Sequence, residues 1–368
     1  MADLHSQLLS NGGASVGSRT PDDSCRELPN DRPNLQFHVS FTIRAADKKT
    51  MLPTVVGTRR RQRQQRSWVR RHPIRIFILL LLLLCFLLAF APAFLLRQRS
   101  NQKLARKCSW LRNRPLVCAH GGDTSIAPPN TLEAYDRALI AKADCIEIDA
   151  SRSQDGVLVA LHDRDLQNIY GNDYIRVRDL SLKEIVRLDA GQNFPKKFRN
   201  QTVPTLVNAI QHVSSYVKQI IIDAKVGGPV FVGSIVAGIL DAVNVTRCSN
   251  CLVWSKDDSL VKELKRLSPR TYAGYIVMED EVTGKMTSST RMNTPEVVGA
   301  YHGAISAKFV KTIHQFGKTV YAWTVNDRER MREMLYDGVD AIVTSQPRLL
   351  QELMLQIQNE CFQEGFHL

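Results

Sequence analysis

The chain has 368 residues, enough for one large domain with appendages or for two ordinary ones. Its formal net charge of +13 suggests a polyanionic partner only until the charges are located: residues 1–75 carry 14 Lys and Arg against 6 Asp and Glu, residues 97–114 carry seven basic and no acidic residues, and Pro115–Leu368 carries 28 basic against 30 acidic. The near-neutral main body lacks the electrostatic footprint of a nucleic-acid binder.

In chain order, residues 1–73 are expected to be a disordered, basic, cytosolic tail, because residues 1–58 are rich in Gly, Ser, Asp, Asn and Pro without sustained periodicity. Residues 74–96 follow as a predominantly apolar run that contains Leu79–Leu84. That is long enough to cross a hydrocarbon core of about 30 Å as a helix. It is too long, and too far from the start, for an ordinary signal peptide. A buried core helix is the alternative, disfavoured by the lack of a polar stripe. Pro92 falls in the last third, where a kink is tolerable. Seven arginines (59, 60, 61, 63, 66, 70 and 71) closely precede the run, and Arg97, Arg99, Lys103, Arg106 and Lys107 follow it. The positive-inside rule then favours a cytosolic N-terminus. Asn200-Gln201-Thr202 and Asn244-Val245-Thr246 are glycosylation sequons, and both lie after the run. The expectation is a signal-anchored, single-pass type II glycoprotein with its main domain in the lumen or outside the cell, the organelle left open.

Residues 97–114 are expected to be a basic stalk and residues 115–368 the main domain. Six of the eight cysteines follow the span. Cys248-x-x-Cys251 has no second pair at zinc spacing, which disfavours a structural zinc site. Disulfides are open to the chain in an oxidising lumen, with their connectivity undetermined.

Short β-branched runs then alternate with helical patterns. Strands are expected at Leu116–His120, Cys145–Asp149, Val157–His162, Ile220–Ala224, Leu252–Ser255, Tyr272–Ile276, Val297–Ala300, Val320–Thr324 and Ala341–Thr344. Helices between them include Thr131–Ala141, Ser259–Arg266, Lys308–Phe316 and Arg328–Tyr336. Alternation over about 250 residues suits an α/β fold, a TIM (β/α)8 barrel. Only Ser151–Gly156 separates the second and third strands, too short for a parallel crossover, so the third is read as a hairpin return turning at Gln154-Asp155-Gly156. Eight strands remain for the barrel.

Glu147 and Asp149 alternate along Cys145-Ile146-Glu147-Ile148-Asp149, so they share a strand face. Two carboxylates turned into a barrel repel each other and lose their hydration, and a divalent cation with a taste for hard oxygen ligands relieves both costs. A solvated surface strand is the bland alternative. Pairing about the turn centre puts His162 across from Glu147, well placed for proton transfer; a plain hydrogen-bonded histidine fits the same position. His120 ends the first strand, on the face where barrel active sites form. Asp223 and Lys225 repeat the same-face pattern as a third metal ligand and a phosphate contact, or as an internal ion pair. Asn130 reads as the N-cap of the first helix with Glu133 in the capping-box position, and Trp323 as a strand-end aromatic that core packing explains equally well.

Together these residues resemble the glycerophosphodiester phosphodiesterase family, and in particular its membrane-anchored, plant-type members. The resemblance runs from about Leu116 to Pro347. The family's His-Arg-Gly and Pro-Glu-Asn-Thr stand here as His120-Gly121-Gly122 and Pro128-Pro129-Asn130-Thr131. Its Glu-x-Asp is Glu147-Ile148-Asp149, and its Asp-Gly turn with the following His-Asp is Asp155-Gly156 with His162-Asp163. Leu188-Asp189-Ala190-Gly191, Val203-Pro204-Thr205-Leu206, Trp323-Thr324-Val325-Asn326 and Gly338–Thr344 fit as well. The resemblance implies a TIM barrel that hydrolyses glycerophosphodiesters to sn-glycerol 3-phosphate and an alcohol. It implies one divalent cation, Mg2+ or Ca2+, on Glu147, Asp149 and Asp223, with His120 and His162 as general acid and base. Substrate contacts would come from Lys225, Asn130 and Trp323. Four departures stand out. Gly121 replaces the family arginine, Pro129 replaces a glutamate, Asp223 is one methylene shorter than the usual glutamate, and Ser345 replaces the late aspartate. The phosphate clamp is thereby weakened, so two further readings accompany the enzyme: a weak or inactive membrane-tethered binding module, and a lysophospholipase D-like activity.

Overall fold

Nine short runs rich in Val, Ile and Ala form nine strands in the computed structural model, which describes residues 73–279 and 283–367. The expected disordered tail and the arginines used to orient the span lie outside the described residues. Eight strands are parallel: β1 (Leu116–His120), β2 (Cys145–Arg152), β4 (Gln219–Ala224), β5 (Cys251–Ser255), β6 (Tyr272–Val277), β7 (Val297–Tyr301), β8 (Thr319–Trp323) and β9 (Ala341–Thr344). β1 pairs with both β2 and β9, so the sheet closes on itself as a TIM barrel. β3 (Leu158–Ala160) pairs antiparallel with the far end of β2 and stays outside the ring.

The helices are α1 (Pro73–Cys108), α2 (Leu132–Ile140), α3 (Asp163–Tyr170), α4 (Leu182–Ile185), α5 (Leu206–Val213), α6 (Val232–Thr246), α7 (Asp258–Leu267), α8 (Ala307–Gln315), α9 (Arg328–Asp337) and α10 (Pro347–Gln363). Several of their starts are set by side-chain caps, as where Asp257 accepts from the backbone N–H groups of Ser259 and Leu260. Among the described residues the β6–β7 crossover carries no helix.

Two local expectations need correction. The ladder of β2 with β3 pairs Ala150 with Ala160 and Arg152 with Leu158. The turn therefore centres on Asp155, half a residue later than expected, with Ser153 N–H donating to Val157 O at 2.9 Å. Half a residue in the centre shifts the register by one, which turns side chains to the opposite face. His162 is thus not a cross-strand neighbour of Glu147. The strand has already ended, and His162 is the N-cap of α3. The cap of α2 is likewise Thr131, whose hydroxyl accepts from Ala134 N–H at 3.2 Å, rather than Asn130.

Inside the barrel, strand alternation points Cys118, Ile221, Leu252, Trp254, Tyr321 and Val343 at one another. The Trp254 side chain occupies the space beside two glycines, its indole over Gly299 and its Cβ beside Gly274. A Cβ at Gly299 would stand 2.8 Å from its ring, and one at Gly274 3.2 Å from its Cβ. Gly299→Ala is therefore expected to destabilise the barrel by about 1–3 kcal/mol, the range for overpacking a filled core. Thermal unfolding checks this, and an unchanged midpoint would contradict the packing argument.

α1 is a single helix, longer than the expected span. Arg75 falls inside residues 74–96, so the uncharged stretch runs from Ile76 to Leu96, 21 residues, still about 31 Å as a helix. Every residue from Phe77 to Lys103 is exposed. The contrast with α6 is direct: that helix is also long and apolar, yet Ile235, Val236, Ile239 and Ala242 are buried against the barrel. By length and composition α1 is a candidate membrane anchor. Disulfides join Cys108 to Cys361 and Cys248 to Cys251, so the Cys-x-x-Cys pair is closed on itself rather than on zinc. Cys118 and Cys145 remain free thiols in the barrel interior.

Candidate active site

Strand register assembles the site. β1 pairs with β2 so that His120 stands opposite Glu147, and β2 pairs with β4 so that Asp149 stands opposite Asp223. All four lie on the inward face; His120 and Asp223 are at or next to the C-terminal ends of β1 and β4, and Glu147 and Asp149 stand level with them in the longer β2. Glu147, Asp149 and Asp223 are only 3%, 2% and 5% exposed, an expensive place for three carboxylates.

Lys225, two residues beyond Asp223 on the same face, offsets part of that cost. Its Nζ lies 2.7 Å from Asp149 Oδ1 and also donates to Asp223 Oδ2. Asn130 supports Asp149 from behind: its Nδ2 donates to Asp149 Oδ2 at 2.7 Å, and its Oδ1 accepts from Asp149 N–H at 3.1 Å and from Tyr135 O–H at 3.3 Å. Asn130 is 1% exposed, and the contacts it makes are to a carboxylate of the site. Glu147 has the poorest company. Its Oε2 lies 3.6 Å from His120 Nε2.

The electrostatics follow from this geometry. Burial, together with Asp223 and Asp149, pushes the Glu147 carboxyl well above the usual range. Burial would raise Asp149 too, but Lys225 and the two histidines override it and hold that group below its ordinary value. Asp223 is raised by burial against the opposing pull of Lys225. Burial lowers Lys225, yet Asp149, Asp223 and Glu147 reverse this, so the ammonium stays charged. Burial brings His120 down to about 4 and His162 to about 3, so both imidazoles are neutral near pH 7.

The donor chemistry bears on a metal. Among the described residues no three His, Cys, Asp or Glu side chains are drawn together as a ready ligand set, and Lys225 bridges Asp149 and Asp223 instead. Ionised together, three carboxylates beside one ammonium would leave two negative charges uncompensated, which is the cost the raised Glu147 and Asp223 carboxyls register. Asp223 Oδ1 is buried without a hydrogen-bond partner, while Asp149 Oδ1 is held by Lys225 Nζ at 2.7 Å. Hard oxygen donors with spare lone pairs and a matching charge deficit fit a divalent cation.

The sequence reading missed several residues at this mouth. Lys256 is one step past β5, on the inward register of Leu252 and Trp254, and its Nζ lies 5.6 Å from the Trp323 ring centroid. Tyr301, at the end of β7, packs edge-on against Trp323 at 6.0 Å. Arg164 begins α3 beside His162 and, with Lys225 and Lys256, adds positive charge felt by that imidazole. Burial raises the neighbouring Asp165 to about 6. Inward parity carried one residue beyond each strand would have found Lys256; nothing local marks Arg164. Gly121 has φ +63°, and a Cβ there would stand 3.4 Å from Asn130 Nδ2. Gly122 is stricter, with φ +95° and 2.6 Å to Ala134. The expected sequons are both exposed, Asn200 in a loop and Asn244 in the last turns of α6.

A closed parallel barrel with its titratable residues gathered at the carboxyl ends of the strands has the layout of a TIM-barrel enzyme. The model of the glycerophosphoryl diester phosphodiesterase family matches residues 120–349, and the chain belongs to that family, as a phosphoric diester hydrolase. It is 44% identical over 315 residues to the glycerophosphodiester phosphodiesterase GDPD4 of Arabidopsis thaliana, covering 85% of this chain and 94% of that one. A match that long reaches upstream of the barrel into the apolar helix. The glycerophosphodiester phosphodiesterase of Caldanaerobacter subterraneus is 28% identical over 66% of this chain and 98% of its own. Among solved structures, an Oleispira antarctica phosphodiesterase in complex with sn-glycerol-3-phosphate shares the fold, at 24% identity and a TM-score of 0.59 over 65% of this chain and 96% of that one.

Proposed function

We propose that this chain hydrolyses glycerophosphodiesters to sn-glycerol 3-phosphate and an alcohol, assisted by one divalent cation, Mg2+ or Ca2+. The observation that carries the reading is the buried Glu147, Asp149 and Asp223 set, short of positive charge and flanked by two neutral imidazoles. Those three carboxylates would hold the cation, which when bound supplies electrophilic stabilisation of charge on a phosphate oxygen.

The remaining roles belong to side chains. A neutral imidazole takes the proton of the attacking oxygen, and the other, once protonated beside the substrate's phosphate, gives one to the departing alkoxide. His120 and His162 are the two groups at this mouth suited to that exchange. Asn130 fixes the rotamer of Asp149. Lys225, and Lys256 from the neighbouring strand end, place positive charge where the family arginine is missing at Gly121. Trp323 and Tyr301 form an aromatic wall for the rest of the substrate.

The test is an assay of the purified full chain against glycerophosphodiesters of several head groups. Glycerol 3-phosphate release is expected, lost in excess chelator and restored by Mg2+ or Ca2+. Full turnover in chelator sinks the metal reading, and no turnover on any of them sinks the substrate reading.

In the same reading α1 is a type II signal anchor and the barrel is lumenal or extracellular. Two disulfides favour an oxidising compartment, and exposed Asn200 and Asn244 are open to glycosylation. In intact microsomes the barrel is expected to resist added protease and to shift on deglycosylation. A barrel digested without detergent would reverse the topology.

A further inference from the structure

Resting on the anchor and site proposed above, we infer that the mouth of the barrel is held facing away from the anchoring bilayer. The enzyme then draws its substrate from the aqueous phase and excludes lysophospholipids embedded in its own membrane.

The argument starts from where the stalk meets the barrel. β1 begins at Leu116, a few residues after α1 ends at Cys108, so the stalk reaches the barrel at the N-terminal ends of its strands. The fastenings are all on that rim. Arg106 pairs with Asp337 Oδ1 at 2.8 Å, and Lys107 Nζ with Glu360 Oε2 at 2.8 Å and Glu364 Oε1 at 2.7 Å. Cys108 is bonded to Cys361, and the Arg112 guanidinium lies 5.3 Å over the Phe366 ring. Asp337 ends α9, and Glu360 and Cys361 lie in the last turn of α10. Both helices start at the carboxyl ends of strands and run back, so their last turns mark the opposite rim from the site. His120, Asp149, Asp223 and Trp323 sit at the other ends of the strands.

Distances make the separation substantial. From Leu96 to Cys108 the helix continues for twelve residues, about 18 Å. The strands add about 16 Å more. A lysophospholipid in the anchoring bilayer would have to withdraw its whole acyl chain to bring its phosphate to Asp149, losing transfer free energy with every methylene. A deacylated glycerophosphodiester meets no such barrier. A covalent bond and three ion pairs on one rim also prevent the barrel from rolling over on its stalk.

Two measurements on the full chain in proteoliposomes test this. With Cys25 and Cys85 replaced by serine, a donor fluorophore is placed at Arg270→Cys, on the stalk rim, or at Glu329→Cys, on the mouth rim, with an acceptor on the lipid head groups. Stronger energy transfer from position 270 is expected; equal transfer or the reverse order overturns the orientation, whatever the activity. The second measurement compares a soluble glycerophosphodiester with the lysophospholipid of the same head group in the enzyme's own vesicles. At least tenfold faster turnover of the soluble compound is expected. Comparable turnover of the embedded lipid overturns the exclusion while leaving the proposed reaction intact, and hydrolysis of neither counts against that reaction and leaves the energy-transfer order to decide.

Discussion

His162→Ala is expected to lower turnover at least about 100-fold, the low end for losing one general acid or base. It should also lower stability, because His162 caps α3: its Nδ1 accepts from Arg164 N–H at 3.1 Å. Losing a cap costs about 1 kcal/mol. The two effects separate with His162→Asn, since asparagine is a good N-cap but cannot exchange protons. That variant should regain the wild-type melting temperature and none of the turnover. If it regains turnover, the imidazole is only a cap, and His120 must be sought a different partner. His120→Ala should show the same loss of turnover without the cap defect, as His120 ends a strand.

Glu147→Gln should abolish cation-dependent activity and raise the stability of the cation-free protein. The carboxylate is buried, lies near two others, and has an imidazole nitrogen at 3.6 Å as its nearest ionic partner. Removing its charge relieves repulsion and desolvation at nearly constant volume. The gain should be about 1–3 kcal/mol, the scale of one unsatisfied buried polar group. The cation response should vanish in parallel. Wild-type protein with Mg2+ or Ca2+ at a hundredfold excess over Kd gains about 2.7 kcal/mol by linkage, and the variant should gain far less. Calorimetry with and without cation reads both effects. A variant less stable than wild type in chelator would mean that Glu147 is held by interactions the cation does not supply.

Much of this site was legible because it is written in strand parity. Glu147 with Asp149, and Asp223 with Lys225, follow from alternation alone, and closing the barrel then brings the two strands side by side. His162 shows where parity ends. Its place depended on the centre of one tight turn, and half a residue there changes which face a side chain takes. His162 is instead delivered by a helix cap, and a one-residue slip in the same direction moved the α2 cap from Asn130 to Thr131 and freed Asn130 to hold Asp149. Lys256 lies one residue past the end of β5, where the alternation still holds but the strand no longer marks it. Arg164 was missed for another reason: it acts from a helix start that approaches the site only after eight strands close, and no local period encodes that approach.

The bond between Cys108 and Cys361 spans 253 positions, so it turns the entire catalytic body into one covalent ring. In the chain-entropy treatment a loop of that size is worth about 5 kcal/mol against the unfolded ensemble. It also changes what a single cut can do. A protease that nicks any exposed loop between those two cysteines opens the ring but releases neither piece, and the distal fragment stays attached to the anchor. Shedding of the catalytic body from a membrane would then require either cleavage in the stalk before Cys108, or a nick within the ring followed by reduction of that one bond.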